Sequence, residues 1–193
     1  TMTHMIVTAH KIASAVKAQC PETIVVLGGF HGSFLPERTL REFPNFDYIV
    51  VGEGEIAFHK FVRAVCDGCD PAEIQGIASR REGTIRVNGR GEIADNLDDL
   101  GMPAWELFPT AHMYPVMSQR GCPFGCNFCS RPYGRKVRRR SVSHVIAEIN
   151  RNIERFGCTA TDFYDETFTV NKKHAAELCK AIIAEGINRK VRF

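Results

Sequence analysis

Apolar positions in the first third of the chain follow two spacings. Ile6, Ala9, Ile12, Ala13 and Val16 recur at three- and four-residue intervals, which predicts one face of a helix ending before Pro21. Thr23-Ile24-Val25-Val26-Leu27 and Asp47-Tyr48-Ile49-Val50-Val51 are short apolar runs, the pattern of strands buried on both faces. Gly28-Gly29 ends the first run, and a short helix is expected over residues 36–42. Gly52-Glu53-Gly54-Glu55 closes the second, ahead of a helix expected over 56–66. Helices alternating with parallel-type strands predict a doubly wound α/β sheet.

The pattern changes between residues 68 and 114. Residues 74–80 and 84–88 read as two strands around the turn Arg81-Glu82-Gly83. The stretch from Asp95 to Pro103 is rich in turn residues and reads as an irregular linker. The last third restarts the alternation, with a short strand over 114–119. Val142, Val145, Ile146, Ile149, Ile153 and Phe156 mark the face of a helix capped by Ser141 or Ser143 and stopped by Gly157. A strand over 159–164 follows. The next helix has Asn171 as cap, the apolar face Ala175, Leu178, Ile182 and Ile183, and Gly186 past its end. Strand, helix, strand, helix is the opening of a parallel barrel or open sheet, whose chemistry sits in the loops after the strands' carboxyl ends. The expected division is a domain over 1–69, a linker with a β-hairpin over 70–113, and a second α/β domain over 114–193. Thr1-Met2-Thr3 runs almost at once into a helix and Val191-Arg192-Phe193 reads as the start of a strand, so a fragment of a longer protein is expected.

Composition narrows the class of protein. In 193 residues the hydrophobic share of 44% is enough for packed cores, and a net charge of +3 does not argue for nucleic acid. The basic stretch from Arg135 to Arg140 is local: a solvated loop and helix start, or a contact for anionic groups on a cofactor or redox partner. No apolar stretch approaches the roughly 20 residues that span a bilayer, and no signal-peptide pattern is present, so a soluble cytoplasmic protein is expected. In that setting eight cysteines point to metal ligands or catalysis rather than disulfides. Cys20, Cys158 and Cys179 fall on helix or strand patterns and are expected to be ordinary buried thiols.

Three of the remaining cysteines share one loop, Ser-Gln-Arg-Gly-Cys-Pro-Phe-Gly-Cys-Asn-Phe-Cys-Ser, in a C-x3-C-x2-C array of Cys122, Cys126 and Cys129. Soft thiolates select zinc, copper(I) or iron–sulfur clusters. A structural zinc site calls for a fourth Cys or His nearby, and none stands at finger-like spacing. Cys66 and Cys69 could supply a pair, although Gly68 at that helix end suits a plain cap. A cluster on three thiolates leaves one iron open to an outside molecule. Gly121 and Gly125 let the backbone turn tightly, and Phe128 can present a ring to a planar ligand. A structural or electron-transfer metal module and a noncatalytic binding domain remain open as readings.

The array, with an aromatic before its third cysteine and Arg120-Gly121-Cys122-Pro123-Phe124, Arg138-Arg139-Arg140-Ser141 and Phe163-Tyr164-Asp165-Glu166-Thr167-Phe168 around it, resembles the cobalamin-binding branch of the radical S-adenosylmethionine (SAM) superfamily. The resemblance implies a [4Fe-4S] cluster on Cys122, Cys126 and Cys129, with SAM on the open iron and Phe128 near its adenine. It implies reductive cleavage of SAM to a 5′-deoxyadenosyl radical. A carboxylate at the end of the second strand, Glu166 in preference to Asp165, would receive the methionyl ammonium. The family's common Gly-Gly-Glu form is absent, and the acidic pair has a second reading as a turn or helix cap.

Gly28-Gly29-Phe30-His31, Pro36-Glu37 and the run from Tyr48 to Glu55 resemble the later half of that branch's cobalamin-binding domain. The expected fold is therefore a partial Rossmann-like domain followed by a partial (β/α) barrel, with Gly28 and Gly29 at the cofactor. The family's Asp-x-His-x-x-Gly loop is not in the chain, so cobalamin is implied for the longer parent rather than for these residues alone. His10, His31 and His59 read as surface, loop or packing residues. The resemblance implies methyl transfer to an unactivated centre, or else ring formation or rearrangement, on a small-molecule or natural-product substrate. It also implies an electron donor such as flavodoxin or ferredoxin. No catalytic base or acid is assigned.

Overall fold

The apolar runs of the first third become neighbouring strands. In the computed structural model, which describes residues 1–193, β1 (Val26–Leu27) and β2 (Tyr48–Val50) pair in parallel, Val26 opposite Tyr48 and Leu27 opposite Ile49. The chain divides into two compact units, Thr1–Ile93 and Ala94–Phe193.

In the first unit, α1 (Ile6–Gln19) precedes β1, α2 (Phe30–Phe34) and α3 (Pro36–Glu42) connect β1 and β2, and α4 (Gly54–Cys66) follows. Ile49 joins one core with Ile6, Ala13, Leu27, Leu40 and Phe46. Val50 joins a second core with Ala57, Phe61 and Ile77. Adjacent strand residues point to opposite faces, so one strand serves both cores and helices cover the sheet on both sides. Ile12, expected on the core face of α1, is 62% exposed. Ala13 occupies the buried stripe, and a residue one place earlier lies roughly 100° around the helix.

The hairpin read as part of a linker is built into this sheet. Strands β3 (Ile77–Arg81) and β4 (Thr84–Val87) extend it in the order β1-β2-β3-β4, with β3 antiparallel to β2. Ile77 and Ala78 are fully buried, one in each core, and this burial draws the segment in. Glu82 and Gly83 both have positive φ, 45° and 77°, as a two-residue hairpin turn of matching twist requires.

In the second unit the expected strands over 114–119 and 159–164 lie parallel, although less regular than expected. Met113 bridges Ala160, Val116 bridges Phe163, and Ala160 also bridges Arg192. The amides of Tyr114 and Val116 donate to the carbonyls of Ala160 and Asp162, and Thr161 donates to Arg192. Helix α5 (Val142–Phe156) joins the first of these segments to the second, and α6 (Lys172–Ala184) joins the second to the third. Their inward faces pack Val145, Ile146, Ile149, Leu178 and Ile182 against Val116, Ile187 and Val191. This is two consecutive β-α-β steps with the helices on one side of an open sheet.

The caps are those the sequence proposes. Ser141 Oγ accepts from the amide of His144, Asn171 Oδ1 accepts from that of His174, and Gly157 turns the chain at φ 66°. Ile183 is 64% exposed rather than on the apolar face, and Cys20 and Cys179 are exposed where buried thiols were expected; Cys158 is buried. No helix is long and apolar enough to cross a membrane.

Candidate functional site

The first parallel segment of the second unit runs into β5 (Gln119–Arg120), which pairs antiparallel with β6 (Arg138–Arg139). The three cysteines lie on the loop between them. Its base is closed by tight backbone contact. Gly121 is buried at φ 96°, and a Cβ there would lie 2.2 Å from the Lys136 carbonyl oxygen. The Cys122 amide donates to the Gly134 carbonyl at 3.0 Å, and the Arg120 guanidinium lies 5.2 Å from the centre of the Tyr133 ring. Beyond this base Cys122 is half-buried, while Cys126 and Cys129 are exposed. The Cys129 amide donates to the Cys126 carbonyl at 3.2 Å, which makes their segment a tight turn.

No three His, Cys, Asp or Glu side chains are gathered on one point, so the spacing of the cysteines and not a preformed cage carries the metal reading. Phe128, between the second and third cysteines, is 90% exposed. A bare aromatic ring beside exposed thiols gains from a flat apolar cover. The donor set and its apolar neighbour therefore fit an iron–sulfur cluster with an aromatic ligand above it.

The loop is tied to the end of the second parallel segment by Asp165. Its Oδ1 accepts from the amides of Ser118 (2.7 Å) and Gln119 (3.1 Å), and its Oδ2 accepts from the Ser118 hydroxyl (2.5 Å). Burial pushes the Asp165 carboxyl above its ordinary pKa, against the opposing pull of these hydrogen bonds. Gln119, 1% exposed, donates through Nε2 to the carbonyls of Thr167 (2.6 Å) and Phe168 (3.2 Å). Thr167 Oγ1 then lies 3.4 Å from Cys122 Sγ. The structure thus joins Cys122 to the acidic stretch, with half-buried Glu166 between the clamp and Thr167. Ser118, Gln119 and Thr167 escaped the sequence reading. They are ordinary polar residues whose only signal is that they flank the cysteine array and the acidic pair.

In the first unit, Gly28 and Gly29 line a cleft of about 450 Å³ at the carboxyl ends of β1 and β2, with Val26, Val50, Gly52, Gly54, Glu55 and Phe58. A Cβ on Gly28 would meet nothing within 4 Å, whereas one on Gly29 would fall 1.8 Å from the Thr1 nitrogen, which donates to the Gly28 carbonyl at 2.7 Å. The floor is apolar and glycine-rich, which fits the close approach of a large planar or nucleotide group. Gly52, Gly54, Glu55 and Phe58 were not assigned from sequence. His31 is buried with Nδ1 3.2 Å from Thr3 Oγ1, His10 packs its ring 5.1 Å from that of Phe43, and His59 is exposed.

The basic run divides its labour. Arg138 and Arg140 are buried, Arg138 donating to the Ala94 carbonyl and Arg140 paired with Glu148, itself 1% exposed. Arg135, Lys136 and Arg139 face solvent, Lys136 bonded to Asp95 at 2.6 Å.

A doubly wound unit with a glycine-lined cleft, and a β-α-β unit with three cysteines at a strand's carboxyl end, define a protein that couples an α/β cofactor fold to a thiolate–metal loop. Residues 1–62 match the B12 binding domain, and over nearly its whole length the chain is similar to proteins described as a methyltransferase and a cyclase. An uncharacterized methyltransferase, PH0819, of Pyrococcus horikoshii is 35% identical over 189 residues, covering 93% of this chain and 41% of the relative. The anaerobic magnesium-protoporphyrin IX monomethyl ester cyclase of Rubrivivax gelatinosus is 31% identical over 209 residues, covering 98% and 38%. The structure of TsrM from Kitasatospora setae, a radical SAM methyltransferase with tryptophan and a SAM analogue bound, matches with a TM-score of 0.74 at 19% identity. That match covers 94% of this chain and 36% of TsrM, and it bears on the fold. The chain spans about two fifths of the length of these curated relatives.

Proposed function

We propose that this chain carries the cluster-binding end, and part of the cobalamin-binding end, of a B12-dependent radical SAM enzyme that transfers a methyl group to an unactivated centre of a small-molecule substrate. The observation that carries the reading is the place of the C-x3-C-x2-C loop. It leaves the carboxyl end of a parallel strand segment and is clamped, through Ser118 and Gln119, to an acidic pair at the end of the next. The B12 binding domain match and the methyltransferase relative support the cobalamin and methyl-transfer parts.

In this reading Cys122, Cys126 and Cys129 would hold a [4Fe-4S] cluster at which SAM would bind. When bound, these groups supply reductive cleavage of the sulfonium C–S bond to methionine and a 5′-deoxyadenosyl radical, with cobalamin as methyl carrier. Glu166 receives the methionyl ammonium, because the Asp165 carboxylate beside it is committed to Ser118 and Gln119. Phe128 offers its exposed ring to the adenine. Gly28 and Gly29 admit cobalamin to the backbone at the end of β1. The exposed Arg135 and Arg139 suit an acidic electron donor such as flavodoxin or ferredoxin.

The test is anaerobic purification and reconstitution with iron and sulfide, followed by incubation with SAM and a strong reductant. Four irons and four sulfides per chain with release of 5′-deoxyadenosine are expected for a [4Fe-4S] site of this kind (about four of each, as the cluster's formula requires). Zinc filling the loop, with neither cluster nor deoxyadenosine, sinks the proposal. The cyclase among the relatives favours ring closure as a second reading. S-adenosylhomocysteine formed alongside deoxyadenosine marks methyl transfer, and deoxyadenosine alone marks cyclisation.

A further inference from the structure

We infer that Thr167 is a positioning residue for metal-bound Cys122, its hydroxyl donating to the cysteine sulfur and so holding the cluster's reduction potential up. The inference rests on the cluster reading above. Thr167 Oγ1 has two neighbours that can accept its proton, the Glu166 carbonyl oxygen at 2.7 Å and Cys122 Sγ at 3.4 Å. Its place is fixed from two directions. The Gln119 amide, itself buried, holds the carbonyls of Thr167 and Phe168, and the Asp165 clamp anchors the chain two residues earlier. The oxygen therefore stands beside the sulfur before any metal arrives.

A thiol at Cys122 can give its own proton to the threonine oxygen while the hydroxyl binds the Glu166 carbonyl. A sulfur bound to iron has no proton to give, so only the hydroxyl can then donate across this contact. A hydrogen bond to a cluster thiolate withdraws charge from the sulfur and favours the reduced, more negative cluster. Cys126 and Cys129 are exposed and meet water, whereas Cys122 is half-buried and meets a side chain built into the fold. One ligand of the three is thus tuned by the protein itself.

The test is a redox titration, followed by electron paramagnetic resonance, of reconstituted wild-type, Thr167→Val and Thr167→Ser proteins with matched iron and sulfide. At a fixed ambient potential the reduced-to-oxidised ratio should fall about tenfold in the valine variant, equivalent to about 59 mV for a one-electron couple. Serine, which keeps the hydroxyl, should restore the wild-type ratio. If the valine variant takes up no cluster, Thr167→Ala against Thr167→Ser carries the same comparison. Equal potentials in the variants with and without the hydroxyl, on intact clusters, overturn the role of Thr167 and leave the cluster reading standing. Absence of a cluster from the wild-type protein overturns both.

Discussion

Asp165→Ala removes the acceptor of three hydrogen bonds that tie the start of the cysteine loop to the neighbouring strand end. Ser118 and Gln119 are 0% and 1% exposed, so neither amide can turn to water. A buried amide left without a partner costs about 1–3 kcal/mol, which for two gives about 2–6 kcal/mol, the hydroxyl being free to rotate. Relief of the carboxylate's own burial, which holds its pKa above the ordinary value, works against part of this. The net expectation is a loss of about 2–4 kcal/mol, a large fraction of the 5–15 kcal/mol typical of a domain (about that range). Urea unfolding with an unchanged m-value measures it, and a loss below about 1 kcal/mol would refute the clamp.

Asp165→Asn separates shape from charge. The amide oxygen can still accept from both backbone groups and the NH₂ can donate to the Ser118 hydroxyl, so the expected cost is about 1 kcal/mol or less. The sign of the pH dependence follows from the direction of the shift. A carboxyl whose pKa is raised on folding contributes its stability below the unfolded pKa, and loses it as pH rises through the folded one. The advantage of wild type over Asp165→Asn should therefore be greatest in acid and shrink towards neutrality. A gap that widens with rising pH refutes the argument from burial.

Other positions test separate links. Gly121→Ala places a Cβ 2.2 Å from the Lys136 carbonyl oxygen at φ 96°, so iron uptake should fall at least about twofold at a strain cost of about 1–3 kcal/mol, with far-ultraviolet circular dichroism unchanged. Glu148→Ala leaves the guanidinium of Arg140 buried without its partner and should cost about 3–5 kcal/mol, while replacing both residues by methionine should recover most of it, both read by urea unfolding. Burial raises the Asp98 carboxyl, but hydrogen bonds from the side chain and backbone of Ser141 and the nearby His144 outweigh it and hold it below its ordinary pKa. Its stability is present above the unfolded pKa and lost as pH falls through the folded one, so Asp98→Asn should flatten the acid limb of a thermal-melt series.

Legibility in the sequence tracked locality. The helices over 36–42, 54–66, 142–156 and 172–184 could be read because period, cap and stop lie within one short window, as in Ser141, the Val145–Ile149 stripe and Gly157. The hairpin's strands were equally readable, but their membership in the first sheet was not. It depends on pairing Tyr48 with Ser79 and Val50 with Ile77, across a separation that no local pattern encodes. Exposed Ile12 and Ile183 show the complementary limit, since an apolar residue at the margin of a stripe is assigned by packing and not by period. At the site, the cysteine array announced itself by spacing. Ser118, Gln119 and Thr167 did not, because serine, glutamine and threonine acquire their roles only from what the fold puts opposite them.

The acidic pair shows how the fold narrows a chemical choice. Asp165 ends the strand segment and Glu166 begins the turn that follows, so the two adjacent carboxylates have different surroundings. Asp165 is turned to the backbone of Ser118 and Gln119, where its acceptor capacity is taken up and its burial makes ionisation harder. A group so engaged is poorly suited to receive a cationic ammonium, which needs a carboxylate with lone pairs to spare. On the proposed reading Glu166 takes the ligand role, and the two substitutions should fail differently. Asp165→Ala should lower stability and cluster uptake together, whereas Glu166→Gln should leave both intact and weaken SAM binding about tenfold or more, the loss of a charge-assisted pair worth roughly 1.5–3 kcal/mol. Equilibrium binding of SAM to the reconstituted variants decides it, and unchanged affinity in Glu166→Gln would return the role to another residue.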